Sequence, residues 1–96
     1  VKDIRKEFNV PKMPVVVGEL GNGGPVKEGA MFEFRKAQEE GTKLIKNAVF
    51  VKTTDFARPA ALSPNTGHGH HWFGNAESYF LIGDGLGEGM KKLLKK

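Results

Sequence analysis

Apolar positions along the chain follow two rhythms. Val1, Ile4 and Phe8 recur at helical spacing through VKDIRKEF, so the first eight residues read as the end of a helix. Pro11 and Pro14 then punctuate the chain. Val15–Leu20 (VVVGEL) is a short, continuous, β-branched apolar run, the pattern of a strand buried on both faces of a parallel sheet. Residues 21–24 (GNGG) form a permissive tight loop, and Pro25 suits the first turn of a following helix. That helix is predicted over Val26–Glu40. Val26, Ala30, Phe34 and Ala37 share one face with Met31, and Gly41 acts as the stop. Asn47–Thr53 (NAVFVKT) is a second strand. A loop rich in Pro, Gly, Asn and His runs over Asp55–His71. At about 17 residues it is long enough to suggest function. Helical spacing returns over Asn75–Lys95 through Tyr79, Ile82, Leu86, Met90 and Leu93. Glycines at 83, 85, 87 and 89 weaken that helix by up to about 1 kcal/mol each, and suggest close packing on a sheet.

The order helix, strand, helix, strand, long loop, helix is a βαβ unit with a C-terminal helix, the mark of the α/β class. Ligands in such sheets sit beyond the carboxyl ends of the strands. The loops after both strands, 18–24 and 54–71, lie at that end.

Composition bounds the picture. Ninety-six residues allow at most one small domain, and such a core supplies only a few kcal/mol of net stability. Residues 1–96 are therefore either a single domain or a piece of a larger one. The start at Val1, inside a helical pattern, favours the piece. No apolar run approaches the roughly 18 to 20 residues of a membrane span. The absence of Cys excludes disulfides, thiolate metal sites and cysteine nucleophiles. The net charge of +4 owes much to Lys91, Lys92, Lys95 and Lys96, which complement a helix dipole. They lack the interleaved aromatics of a nucleic-acid surface, so neither nucleic acid nor membrane is expected as a partner.

Candidate chemistry concentrates in HGHHW, 68–72, which holds all three histidines. Imidazole serves as a general base or metal ligand near neutral pH. A Gly-bearing loop is a poor holder for the three rigid ligands of a zinc site, so no native metal is expected. GNGG lacks the Lys-Ser/Thr of a phosphate loop. Glu19 and Asp55 follow the strand ends and are candidates to orient a histidine or accept substrate hydroxyls. Asp84 reads as solvated. Ser63 and Ser78, the only serines, do not sit on a strand-to-helix elbow, so the chain offers a base but no credible nucleophile.

PVVVGELGNGG, FRKAQEEG, NAVFVKTTD and HHWFGNAESYFLIGDGLGEGM together resemble the C-terminal part of SGNH-hydrolase carbohydrate esterases, in the sialate O-acetylesterase-like branch. The matching features are Glu19-Leu20 at a strand end, Arg35-Lys36-Ala37-Gln38 on a helix, and Asp55 after the next strand. His71-Trp72-Phe73-Gly74 then leads to Ile82-Gly83. The resemblance spans nearly the whole chain. It implies part of a flavodoxin-like three-layer sandwich and a serine esterase that removes O-acetyl groups from carbohydrates, with no cofactor. His71, with His70 as the alternative, would be the catalytic base. The family places an acid three residues before that histidine. Here those positions are His68 and Gly67, which leaves Asp55 or Glu19 as the acid. Glu19, Asn22 and Trp72 would contact substrate. The nucleophilic Ser and the oxyanion Gly and Asn belong to blocks that this sequence lacks. The partners implied are a carbohydrate ester and an N-terminal segment carrying the nucleophile. A non-catalytic, self-associating remnant of the fold, in which a second copy completes the sheet at its open edges, is the alternative.

Overall fold

A computed structural model describes residues 1–95 and shows a mixed α/β arrangement around a small parallel sheet. Helix α1 spans Lys2–Glu7, strand β1 Val15–Gly18, helix α2 Ala30–Thr42, strand β2 Ala48–Val51 and helix α3 Ala76–Leu94. β1 and β2 pair in parallel, with Val16 opposite Val49 and Gly18 opposite Val51. The βαβ unit and the C-terminal helix thus follow the hydrophobic pattern. Lys96 lies outside the described residues.

Both strands are shorter than the apolar runs suggest. The ladder stops at Gly18 and Val51 because the next residues turn to side-chain partners. Glu19 N–H still donates to Val51 O at 2.9 Å, but its carboxylate then takes over the job of joining the two chains.

Helix α2 begins four residues later than the pattern predicts. Residues 25–29 are irregular, and Gly29 enters the helix at φ 98°, a left-handed conformation that an L side chain rarely adopts. Gly41 does not stop the helix, which continues through Thr42. The orientation is also unexpected. Ala30, Phe34 and Ala37 face outward, with Phe34 half exposed, while Arg35 and Thr42 are buried. The inward side of α2 is polar because it must bind loop carbonyls.

Two glycines of α3 make the close approach to the sheet. A Cβ on Gly89 would lie 2.9 Å from Val51 Cγ2 and 3.2 Å from Val49 Cγ1. One on Gly85 would lie 3.2 Å from Phe56 Cε2. Gly83 and Gly87 look away from the sheet, with open space around them. Since Ser78 bonds beyond the end of β2 and Gly89 meets mid-strand valines, α3 runs back across the sheet, antiparallel to the strands.

At the opposite edge, α1 is tied in by Arg5, which donates to Met13 O and, at 2.7 Å, to Lys46 O. Asn47 Nδ2 donates to Lys12 O at 2.6 Å. Its apolar residues Val1, Ile4 and Phe8 are all exposed. Among the described residues only Leu93 is a fully buried large hydrophobe. The radius of gyration, 15.1 Å, exceeds the ~12.5 Å expected of a compact domain of this length.

Candidate functional site

Two loops meet at the carboxyl edge of the sheet, and each is held by a different polar clasp. The first follows β1. Gly21 is forced by crowding: a Cβ there would overlap the Thr53 hydroxyl and lie 2.8 Å from Thr54 N. Gly23 and Gly24 take positive φ angles of 87° and 82°. Arg35 reaches from α2 into the turn they make. Its Nε donates to Leu20 O at 2.6 Å, Nη1 to Gly24 O at 2.9 Å and Nη2 to Asn22 O at 2.9 Å. Gln38 Oε1 accepts from Leu20 N at 2.9 Å. One planar guanidinium satisfies three carbonyls that no strand could pair, which a point-like ammonium could not do. In the sequence Arg35 and Gln38 stand out only through the resemblance, and their role as the frame of this turn carries no local signal, because the apolar spacing of the helix points the opposite face inward.

Glu19 forms a separate clasp between the two loops. Its Oε1 accepts from Thr53 N at 2.9 Å and Thr54 N at 3.2 Å, and Thr53 Oγ1 donates to Glu19 O at 2.9 Å. This carboxylate is half-buried and engaged with backbone of the second loop. Asn22 contributes its carbonyl to Arg35, and its Oδ1 is buried without a partner.

The second loop, expected to be irregular, contains two short 3-10 segments at Thr54–Phe56 and Ala60–Leu62, and a kinked turn over Gly69–Gly74. Asp55 lies in the first, exposed, and its backbone carbonyl accepts from Arg58 Nη1 at 3.1 Å. Arg58 Nε also reaches Glu77 in the first turn of α3, at 2.6 Å. Asn75 caps α3, with Oδ1 accepting from Ser78 N at 3.0 Å, and its Nδ2 donates to Ser63 Oγ at 3.0 Å. Ser63 Oγ in turn donates to Pro59 O at 2.8 Å. Ser78 is fully buried, and its hydroxyl donates to Phe56 O at 2.7 Å. Both serine hydroxyls are therefore engaged in fastening this loop.

The histidines stand at the exposed tip of the fastened loop, directly before α3. The rings of His70 and His71 lie 4.2 Å apart, and those of His68 and His70 stack at 5.6 Å. His68 O accepts from both His71 N at 3.0 Å and Phe73 N at 2.9 Å, and Tyr79 Oη donates to His71 O. Trp72, Phe73 and Gly74 all adopt left-handed backbone, with φ of 57°, 55° and 66°. For the two aromatic residues this costs roughly 1–2 kcal/mol each. Asn65 N–H, donating to Phe73 O at 3.0 Å, helps to hold the reversal. Backbone strain of this kind is often concentrated at functional sites.

The candidate residues thus fall into separate groups. His70, His71 and Trp72 are brought together. Asn22 belongs to the Arg35 clasp, and Glu19 joins the end of β1 to Thr53 and Thr54. Among the described residues, no ion pair or side-chain hydrogen bond joins Asp55 or Glu19 to a histidine ring, and no group of three or more His, Asp or Glu is placed to hold a metal ion. No helix among them is long and apolar enough to cross a membrane. No family model matches this chain, and neither a curated protein nor a solved structure matches it.

Proposed function

We propose that this chain is the histidine-bearing segment of a serine carbohydrate O-acetylesterase with a flavodoxin-like sandwich, and that it acts with a segment carrying the nucleophile. The observation that carries the reading is the contrast at the loop tip. Two imidazoles are presented to solvent on a strained, fastened turn, while Ser63 and Ser78, fastening that loop, are occupied. In this reading His71, or His70, takes the proton from a serine supplied by the other segment. It then returns that proton to the departing sugar oxygen. Trp72, half-buried beside them, flanks the acyl or sugar face.

The reading also accounts for Glu19, Arg35 and Gln38. They are the frame that holds the loop after β1, and they keep its turn beside the loop after β2. The exposed apolar side chains on α1 and α2 fit a unit that packs against further layers of a larger sandwich.

The test is reconstitution. The chain is mixed with an N-terminal SGNH segment and assayed on p-nitrophenyl acetate. The chain alone is expected to show no hydrolysis above background. The mixture is expected to hydrolyse the ester and to lose about 100-fold or more when His70 and His71 are both replaced by Ala. Activity that survives the double replacement would overturn the reading.

A further inference from the structure

The outer face of α3 carries a seam with a spacing of its own. Ala76, Phe80, Gly83, Gly87, Met90 and Leu94 recur at alternating steps of four and three, the pattern of a helix that packs along a second helix. This seam lies opposite the face that Gly85 and Gly89 press onto the sheet. Phe80 is 72% and Leu94 67% exposed, and a Cβ at Gly83 or Gly87 would meet nothing within 4 Å. Large exposed side chains at both ends and bare backbone at the centre make a surface shaped for close helix approach.

We propose that α3 pairs antiparallel with α3 of a second copy of this chain, across a two-fold axis at Gly87. In that register Phe80 meets Leu94 of the other copy at each end, Gly83 meets Met90, and the two Gly87 backbones cross. Charge selects this arrangement. Asp84 lies on the N-terminal side of the axis and Lys91 on the C-terminal side, on the same flank, so antiparallel pairing sets each Asp84 against the other copy's Lys91. A parallel two-fold pairing would instead set this flank against the opposite flank of the other copy, where Tyr79 and Leu86 offer no charge. In its own chain Lys91 pairs with Glu88 at 3.1 Å on the exposed surface, and Asp84 of the second copy offers it a further carboxylate. The other uncovered helix face, around Phe34 and Ala37 on α2, is flanked by Glu33 and Glu40 and would repel its own copy.

The accessible surface gives the scale. The chain exposes 6906 Å², about 1,500 Å² more than the ~5,400 Å² expected of a monomeric domain of its mass. A standard interface covers about 800 Å² on each partner, and the outer face of α3, with Phe80 and Leu94, is one of the uncovered faces that make up this excess. The proposal does not rest on the esterase reading, because its test reads mass and not hydrolysis.

The experiment is sedimentation of the 96-residue chain at high micromolar concentration, with circular dichroism to verify folding. The expected mass is twice 10.5 kDa. Asp84→Lys and Lys91→Asp singly are expected to shift the chain toward monomer, and the two together to restore the dimer. The protein has no Cys, which permits a second test. Gly87→Cys is expected to form a disulfide-linked dimer under mild oxidation, whereas Gly67→Cys in the open loop is expected not to. A wild-type monomer at that concentration would overturn the proposal. So would a dimer that ignores both charge reversals, or equal cross-linking at positions 67 and 87.

Discussion

Glu19 and Thr53 hold each other at the carboxyl edge of the sheet. The Glu19 carboxylate accepts the Thr53 N–H at 2.9 Å, and the Thr53 hydroxyl donates to the Glu19 carbonyl at 2.9 Å. Thr53 is almost completely buried, so its N–H and hydroxyl have no water to take the place of Glu19. Glu19→Ala leaves the Thr53 and Thr54 N–H groups without their acceptor. It is expected to destabilise the chain by about 1–3 kcal/mol, measured as a lower urea midpoint with an unchanged slope. A midpoint equal to wild type would remove the clasp from the account.

Arg35 has the larger role, because its three nitrogens bind three carbonyls of one turn. Arg35→Ala is expected to cost about 3 kcal/mol or more, since hydrogen bonds to a charged donor are lost together. Arg35→Lys should recover only a minor part of that, because a single ammonium cannot span Leu20, Asn22 and Gly24. The check is denaturant unfolding of both variants. Equal stability of the Lys variant and wild type would contradict the geometry.

The general course of the chain was legible because it rests on local patterning. The β-branched runs Val15–Val17 and Ala48–Val51 form the parallel pair, and Gly85 and Gly89 bring α3 against them. What was not legible depends on contacts between distant residues. Phe34 and Ala37 look like a core face in sequence, yet α2 turns them outward so that Arg35 can reach a turn more than ten residues away. Gly29 delays the same helix through a positive φ that residue type permits but does not announce. At the candidate site the histidine cluster stood out from its spacing. The sequence could not reveal that Glu19 is committed to Thr53 and Thr54, or that Trp72 and Phe73 turn the backbone left-handed before α3.

Glycines in α3 provide a contrast in sign. Gly89→Ala would place its Cβ 2.9 Å from Val51 Cγ2, so overpacking is expected to cost about 1–3 kcal/mol. At concentrations low enough to keep the chain monomeric, Gly83→Ala meets open space and should stabilise the helix by about 0.5–1 kcal/mol through propensity. Thermal melts of the two variants are expected to move in opposite directions. A shift of the same sign in both would show that α3 does not approach the sheet at Gly89.

The central claim is that this chain supplies a base and not the nucleophile. Labelling with a fluorophosphonate, followed by intact-mass measurement of each component, tests it most directly. In a mixture with an N-terminal SGNH segment, the adduct is expected on that segment alone. It should form more slowly when His70 and His71 are both replaced by Ala, while this 96-residue chain keeps its unmodified mass. An adduct on this chain, at Ser63 or Ser78, would contradict the account.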